Sequence, residues 1–283
     1  VATVGRGGSY LLNVGPDGSG HIPEPAVRYL IEAGEWLAHY PNVVYAAGPS
    51  PWGMAQPWGD ITTSEDQLNL VIFDWPEDGR VYLSGLKADI ISAGLRCTEG
   101  ELLPLQWQWQ KDWLVIDCSV LTREQTADLA SVVELKLKEA PLVDPTIGVH
   151  PNYSSLLLAE FATAHHATKK EVCWMEKFGE WKHVTQVGEW IGDGVAIWEV
   201  DVAEAGAYHV ELTYRGEGRS VWSIQTDEGS VLQNQQAGTA GYHAYPFGIL
   251  EFKTSGRHTI AVSLIDGSRE KSSLKSIRLS PVR

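Results

Sequence analysis

A chain of 283 residues, 43% hydrophobic and 20% charged, has room for two or three domains that each bury a core, which argues against a disordered polypeptide. Its formal net charge of −14 repels phosphate backbones and anionic lipid heads, and no Lys/Arg cluster offsets it, so neither nucleic acid nor membrane is expected as a partner. Cys97, Cys118 and Cys173 form no CxxC pair and are too few for a disulfide framework or a zinc site; they read as small buried hydrophobes, and no metal or cofactor is expected.

The start, VATVGRGGSY, has neither an initiator Met nor the basic-then-apolar pattern of a signal peptide. Tyr10 to Val14 is apolar except for Asn13, as in a parallel strand covered on both faces. It runs into GPDGSG, where Asp17 between Pro16 and Gly18 reads as a turn former. Pro25 suits a first helical turn and Glu24 its positive end. Val27, Leu30, Ile31, Gly34 and Leu37 then keep one helical face apolar or small until Pro41 stops the helix.

Past residue 50 the period becomes two. QLNLVIFDW and GRVYLSGL flank the turn PEDG and read as a hairpin. A regular strand through WQWQKDW would put Trp107, Trp109 and Trp113 on one face, and Val133, Leu135 and Leu137 alternate with Glu134, Lys136 and Lys138. Residues 51–140 are thus an antiparallel β module, and 141–156, with three prolines, a linker. A second β module follows over 157–283. Ala196, Trp198, Val200 and Val202 share one face, and Tyr208, Val210, Leu212 and Tyr214 another.

The stretch GGSYLLNVGPDGSGHIPEPAVRYLIEAGEWL, followed by VVYAAGPSPW, resembles the end of the catalytic barrel of glycoside hydrolase family 29 α-L-fucosidases. WGDITTSEDQLNLVIFDWPEDGRVYLSGL is similar to the start of the β-sandwich after that barrel. The resemblance implies a mainly β chain: residues 1–50 are the last βα unit of a (β/α)8 barrel, and two antiparallel β-sandwich domains follow. A (β/α)8 barrel needs about 250 residues, so its other strands are expected upstream of Val1 or on another polypeptide. The implied activity is retaining, exo-acting hydrolysis of terminal fucose from glycans. The family's nucleophile and acid/base carboxylates have no matching positions here, so no catalytic residue is assigned and the chain alone is expected to be inactive. Asn13 is the candidate for lining the active-site floor, or else for securing the strand end. The implied partners are a fucosylated glycan and the upstream barrel, and the implied location is secreted or periplasmic.

The module over 157–283 resembles the galactose-binding-like jelly rolls appended to glycoside hydrolases, most specifically in WEVDVAEAGAYHVELTYR. Relatives often hold calcium between two acidic residues. Glu160 could supply the first, but Lys275 stands where the second would be. Loop aromatics commonly form the sugar site in such modules, which makes Trp190, Tyr242, His243 and Tyr245 the carbohydrate-binding candidates, with packing as the other reading. The alternative function is therefore a non-catalytic carbohydrate-binding or structural accessory module. His165 and His166 are adjacent, so on a strand they point to opposite faces and cannot grip one ion together.

Overall fold

The computed structural model describes residues 1–127, 129–178 and 180–282. The chain divides into two compact units, Val1–Pro145 and Thr146–Arg283. Strands dominate both.

In the first unit, a five-stranded antiparallel sheet runs in the order Gly59–Ser64, Gln67–Ile72, Ser131–Leu137, Ile90–Arg96, Leu102–Pro104. A three-stranded sheet holds Arg80–Ser84, Trp113–Asp117 and Gln106–Gln110. Leu68, Leu70, Leu95, Val133, Leu135 and Leu137 from the first sheet share one core with Val81, Leu83, Leu114 and Ile116 from the second. Each sheet hides one apolar face against the other, the arrangement of a β-sandwich. The indoles of Trp52 and Trp58 reach into this core and donate to the carbonyls of Ser84 and Tyr82 at 2.9 and 3.1 Å.

Two sequence expectations fail here. The strands on either side of PEDG lie in different sheets, so there is no hairpin. Gln67–Ile72 already has Gly59–Ser64 on one edge and Ser131–Leu137 on the other, which leaves no edge for Arg80–Ser84. WQWQKDW is no single strand either, because Lys111, at φ 54°, turns the chain between two paired strands. Trp107 and Trp109 sit opposite Ile116 and Leu114, and Trp113, one residue out of step with Leu114, faces the other way.

The opening segment also departs from expectation. No strand forms over Tyr10–Val14, and no strand lies between the helices Ala2–Gly5 and Glu24–His39. A parallel barrel strand needs neighbours on both edges, and none is present beside this segment. Tyr10, Leu11, Leu12 and Val14 stand exposed at 72, 83, 54 and 42%. The helix Glu24–His39 forms as the pattern predicts, with Pro25 in its first turn and Glu24 at its N-terminus, yet it buries none of its own residues. Only its last turns are anchored: Trp36 donates from Nε1 to the Ala130 carbonyl at 2.7 Å. Tyr40 and Val43 pack with Val71, Ala130 and Val132 on the outer face of the five-stranded sheet.

The stretch read as a linker is divided between the units. Leu86 bridges Val143, and Asp144 N donates to Gly85 O at 2.8 Å, which ties residues 142–144 to the end of Arg80–Ser84. Ile147–Val149 already belongs to the second unit, as a parallel partner of Val200–Val202. Gly85 is required at the tie: it has φ 76°, and a Cβ there would lie 2.2 Å from the Asp144 carbonyl. Gly85→Ala is expected to cost more than the roughly 1–2 kcal/mol of the left-handed backbone alone. Gly100, with φ 87° and open space around it, is the control that should cost only that conformational part. Urea unfolding of the two variants would separate clash from conformation.

The second unit has two six-stranded sheets. One carries Thr168–Lys177, Glu180–Gly188, Ser273–Pro281, Gly206–Arg215 and His243–Phe252 in that order, with Ser155–Leu158 also on Ser273–Pro281. The other carries Thr163–His165, Val195–Val202, Gly256–Asp266, Gly218–Thr226 and Val231–Gly238, with Ile147–Val149 on Val195–Val202. The alternations read from sequence hold: Ala196, Trp198, Val200 and Val202 are buried, as are Tyr208, Val210, Leu212 and Tyr214. Trp198 donates from Nε1 to Leu158 O at 2.8 Å, joining a strand of one sheet to a strand of the other.

The cysteines separate by environment. Cys118 is buried, and desolvation pushes its thiol up to about 12. Cys173 is exposed, contrary to the reading of all three as buried. Because the thiolate is the reactive form, a thiol reagent at pH 8 should modify Cys173 in the native chain and reach Cys118 only on unfolding. Mass spectrometry of the labelled peptides reads the difference directly.

Candidate functional site

Two regions carry the sequence-derived candidates. In the first unit, Asn13 lies exposed in the segment that forms no strand, so no active-site floor is assembled around it. Asp17 is a turn former: its Oδ1 accepts from Ser19 N at 2.8 Å, Ser19 Oγ at 2.6 Å and His21 N at 3.0 Å. The Ser19 hydroxyl first, then the His21 and Ser19 amides, hold its carboxyl below the usual aspartate range. Such an ionised, acceptor-only group closes a loop.

In the second unit the four aromatic candidates do not form one platform. Trp190 is 2% exposed. It donates from Nε1 to Ser272 O at 3.0 Å and meets Trp222 edge-on at 5.4 Å. The GEWIGDG stretch folds its ring inward, so the indole face is closed to a sugar. Tyr245 stacks on the core residue Tyr214 at 4.5 Å, and its hydroxyl is buried. His243 is exposed and lies edge-on to Tyr245, with ring centroids 6.4 Å apart.

Tyr242 differs. Its hydroxyl donates to Gln186 Oε1, which lays the ring over the sheet face opposite the core. The Arg215 guanidinium stands 5.2 Å and the Lys275 ammonium 5.8 Å from the ring centroid. Burial raises the Tyr242 phenol above its ordinary value and Arg215 partly opposes this, so the hydroxyl stays protonated and donating at neutral pH. Around the ring lies a groove of about 670 Å³, also lined by Trp174, Lys182 and His183. Trp174 and Lys182 are directly opposed across the antiparallel pair Thr168–Lys177 and Glu180–Gly188.

Sequence reading found Tyr242 but missed Arg215, Lys275 and Trp174. They come from three strands, and only strand pairing brings them together. The available signal was the outward position of Arg215 at the end of its strand, beyond the inward Tyr214. Lys275, read as the residue displacing a second calcium ligand, sits against Tyr242. The Glu160 end of that reading is also occupied by an amine: Lys169 Nζ donates to the carbonyls of Glu160 and Ala162, both at 2.9 Å. No group of three or more His, Cys, Asp or Glu able to hold a metal occurs among the described residues. His165 and His166 do not converge on an ion, and His166 pairs with Asp193.

Comparison with known proteins bears on the first region. Residues 1–42 match the family model described as Alpha-L-fucosidase. An α-L-fucosidase of Dictyostelium discoideum is 38% identical over 88 residues, which is 30% of this chain and 19% of that protein. The opening of this chain is therefore similar to part of the α-L-fucosidases. Human tissue α-L-fucosidase is 34% identical over 89 residues, covering 29% of this chain and 18% of its own length. The chain thus matches about a fifth of the length of these curated relatives. The α-L-fucosidase from Vibrio sp. strain EJY3 shares the fold at a TM-score of 0.68 and 17% identity, over 99% of this chain and 49% of that one. Among the described residues no helix is long and apolar enough to cross a membrane.

Proposed function

We propose that this chain is the C-terminal part of a retaining, exo-acting α-L-fucosidase that removes terminal fucose from glycans, with the catalytic carboxylates in the preceding part of its barrel. The observation that carries this reading is the fucosidase match over residues 1–42, the segment that exposes the apolar side chains of Tyr10 to Val14. A final barrel strand and helix would bury those groups against neighbouring strands, and the proposed partner is that upstream barrel segment. Asn13, at the end of such a strand, would then stand at the C-terminal face where barrel active sites form. A glycan substrate of this class fits a secreted or periplasmic enzyme.

Retention requires two carboxylates about 5 Å apart across the scissile bond. Asp17 is committed to its turn, and Glu32 lies 4.0 Å from Arg28 on the helix. With the catalytic pair placed in the preceding part of the barrel, the chain by itself is expected to release no aryl alcohol from an aryl α-L-fucoside above the buffer blank. Turnover that survives repurification and follows the protein on a sizing column would overturn the assignment.

A second reading applies to the second unit alone, as a carbohydrate-binding module. The groove beside Tyr242 favours it, because aromatic faces and clustered donors together suit a sugar ring and its substituents.

A further inference from the structure

We propose that the groove beside Tyr242 is a binding site for an anionic saccharide, one carrying a carboxylate or sulfate group, held between Arg215 and Lys275. The proposal rests on the second reading above, that this unit binds glycan, and adds the chemical class of the ligand.

With 36 acidic residues against 22 Lys and Arg, a cation in this chain has carboxylates in excess to choose from. Its neighbours have taken them: Lys170 pairs with Glu189, Lys271 with Glu217, and Arg278 with Glu211. Arg215 and Lys275 have not. Among the described residues neither forms an ion pair with a carboxylate, and both lie instead over one tyrosine ring. Holding two like charges on one ring is unfavourable unless an anion completes the set, since each cation–π contact contributes only about 0.5–2 kcal/mol.

The lining points the same way. The groove's lining, with Arg215, Lys275 and Lys182 in it, includes no carboxylate. The smaller depression next to it, which shares Arg215 and Ala240, contains Glu189, Glu217 and Glu270 alongside Lys170 and Lys271. The smaller depression thus sets three carboxylates against Lys170, Lys271 and Arg215, whereas the larger has no carboxylate in its lining and an acidic neighbour only at His183, which pairs with Glu171.

Shape selects a sugar over a bare ion. Trp174 is 38% exposed at the groove, on the same sheet face as its opposed partner Lys182, so an apolar ring face lies beside the cations. A pyranose can stack on that indole while its acidic substituent meets the guanidinium, a planar donor fork matched to carboxylate or sulfate oxygens. A small inorganic anion would use the charges and leave the indole unused.

Calorimetric titration of the full chain tests this with four probes: trigalacturonate, its fully methyl-esterified form, galactose 6-sulfate and galactose. Trigalacturonate or galactose 6-sulfate is expected to bind, weakening as salt rises from about 0.05 to about 0.5 M, whereas the methyl ester and galactose are not. Whichever anionic probe binds identifies the acidic group. Arg215→Gln with Lys275→Gln should lower that affinity about tenfold or more, with thermal unfolding unchanged. Trp174→Ala should weaken it with the salt dependence retained. Equal binding of trigalacturonate and its methyl ester would leave the glycan-binding reading standing and overturn the anionic class. Loss of stability in the glutamine pair is controlled by Arg215→Lys, which keeps the charge but not the planar fork and should bind with intermediate affinity and an unchanged salt dependence. Unchanged affinity in a folded glutamine pair would also overturn the site, and failure of all four probes would remove both readings.

Discussion

Trp190→Ala is expected to destabilise the second unit by about 3–5 kcal/mol, the range for removing a buried tryptophan, and to have no separate effect on glycan affinity. The indole fills space beside Trp222 and supplies the hydrogen bond to the Ser272 carbonyl, and the Trp190 backbone amide donates to Arg269 O at 3.3 Å. Alanine would empty the site and leave that carbonyl without its donor, so the cavity and the lost hydrogen bond act in the same direction. Trp190→Phe should cost less, because most of the ring volume remains. Urea unfolding followed by far-ultraviolet circular dichroism measures the shift. A sugar-facing tryptophan behaves in the opposite way: its removal would leave the unfolding midpoint in place and abolish binding. That outcome would return Trp190 to the carbohydrate site.

What the sequence made legible follows from which interactions are local. Alternation along Val195–Val202 and Gly206–Arg215 is a property of single strands, and the burial of Trp198 and Tyr208 could be read from it. The helix Glu24–His39 was equally readable, since Pro25, Glu24 and the apolar spacing act within a few turns. Pairing partners are not local. PEDG has turn chemistry whether the strands beside it join one sheet or two. Only the structure shows the unbroken burial of Leu68 to Ile72, including the polar Asn69, that goes with a central strand having neighbours on both edges. Trp190 was misplaced for a similar reason. Glycines around an aromatic look like an exposed loop, but the same flexibility lets the loop turn its ring into the core. The Tyr242 groove is non-local altogether, since Arg215 and Lys275 lie sixty residues apart in the sequence and meet only because their strands pair.

Amides 10–14 are expected to exchange with solvent in the isolated chain at close to the rate of unstructured peptide, while amides 132–135 in the centre of the five-stranded sheet stay protected. Each exposed Leu or Val in the opening segment forgoes roughly 1.5–3 kcal/mol of burial, and Val27 and Ile31 on the helix are in the same position. Nothing among the described strands pairs with residues 10–14, so their backbone groups are open to water. The helix Glu24–His39 is held only near its C-terminal end, by Trp36 and Tyr40, and 16 residues is close to the length at which an isolated helix is marginal in water. Protection along it should therefore rise from Val27 towards His39. If this segment is the last strand of a fucosidase barrel, adding the preceding barrel must change that pattern most at residues 10–14, where two edges become paired at once. Slowing there by about a thousandfold corresponds to an opening free energy of about 4 kcal/mol, modest for a strand inside a folded domain. Hydrogen exchange with mass readout, on the chain alone and on a polypeptide extended upstream through the barrel, compares the two states. Strong protection of residues 10–14 in a verified monomer of the chain alone would show that the segment already has a partner, and the barrel assignment of that strand would fall.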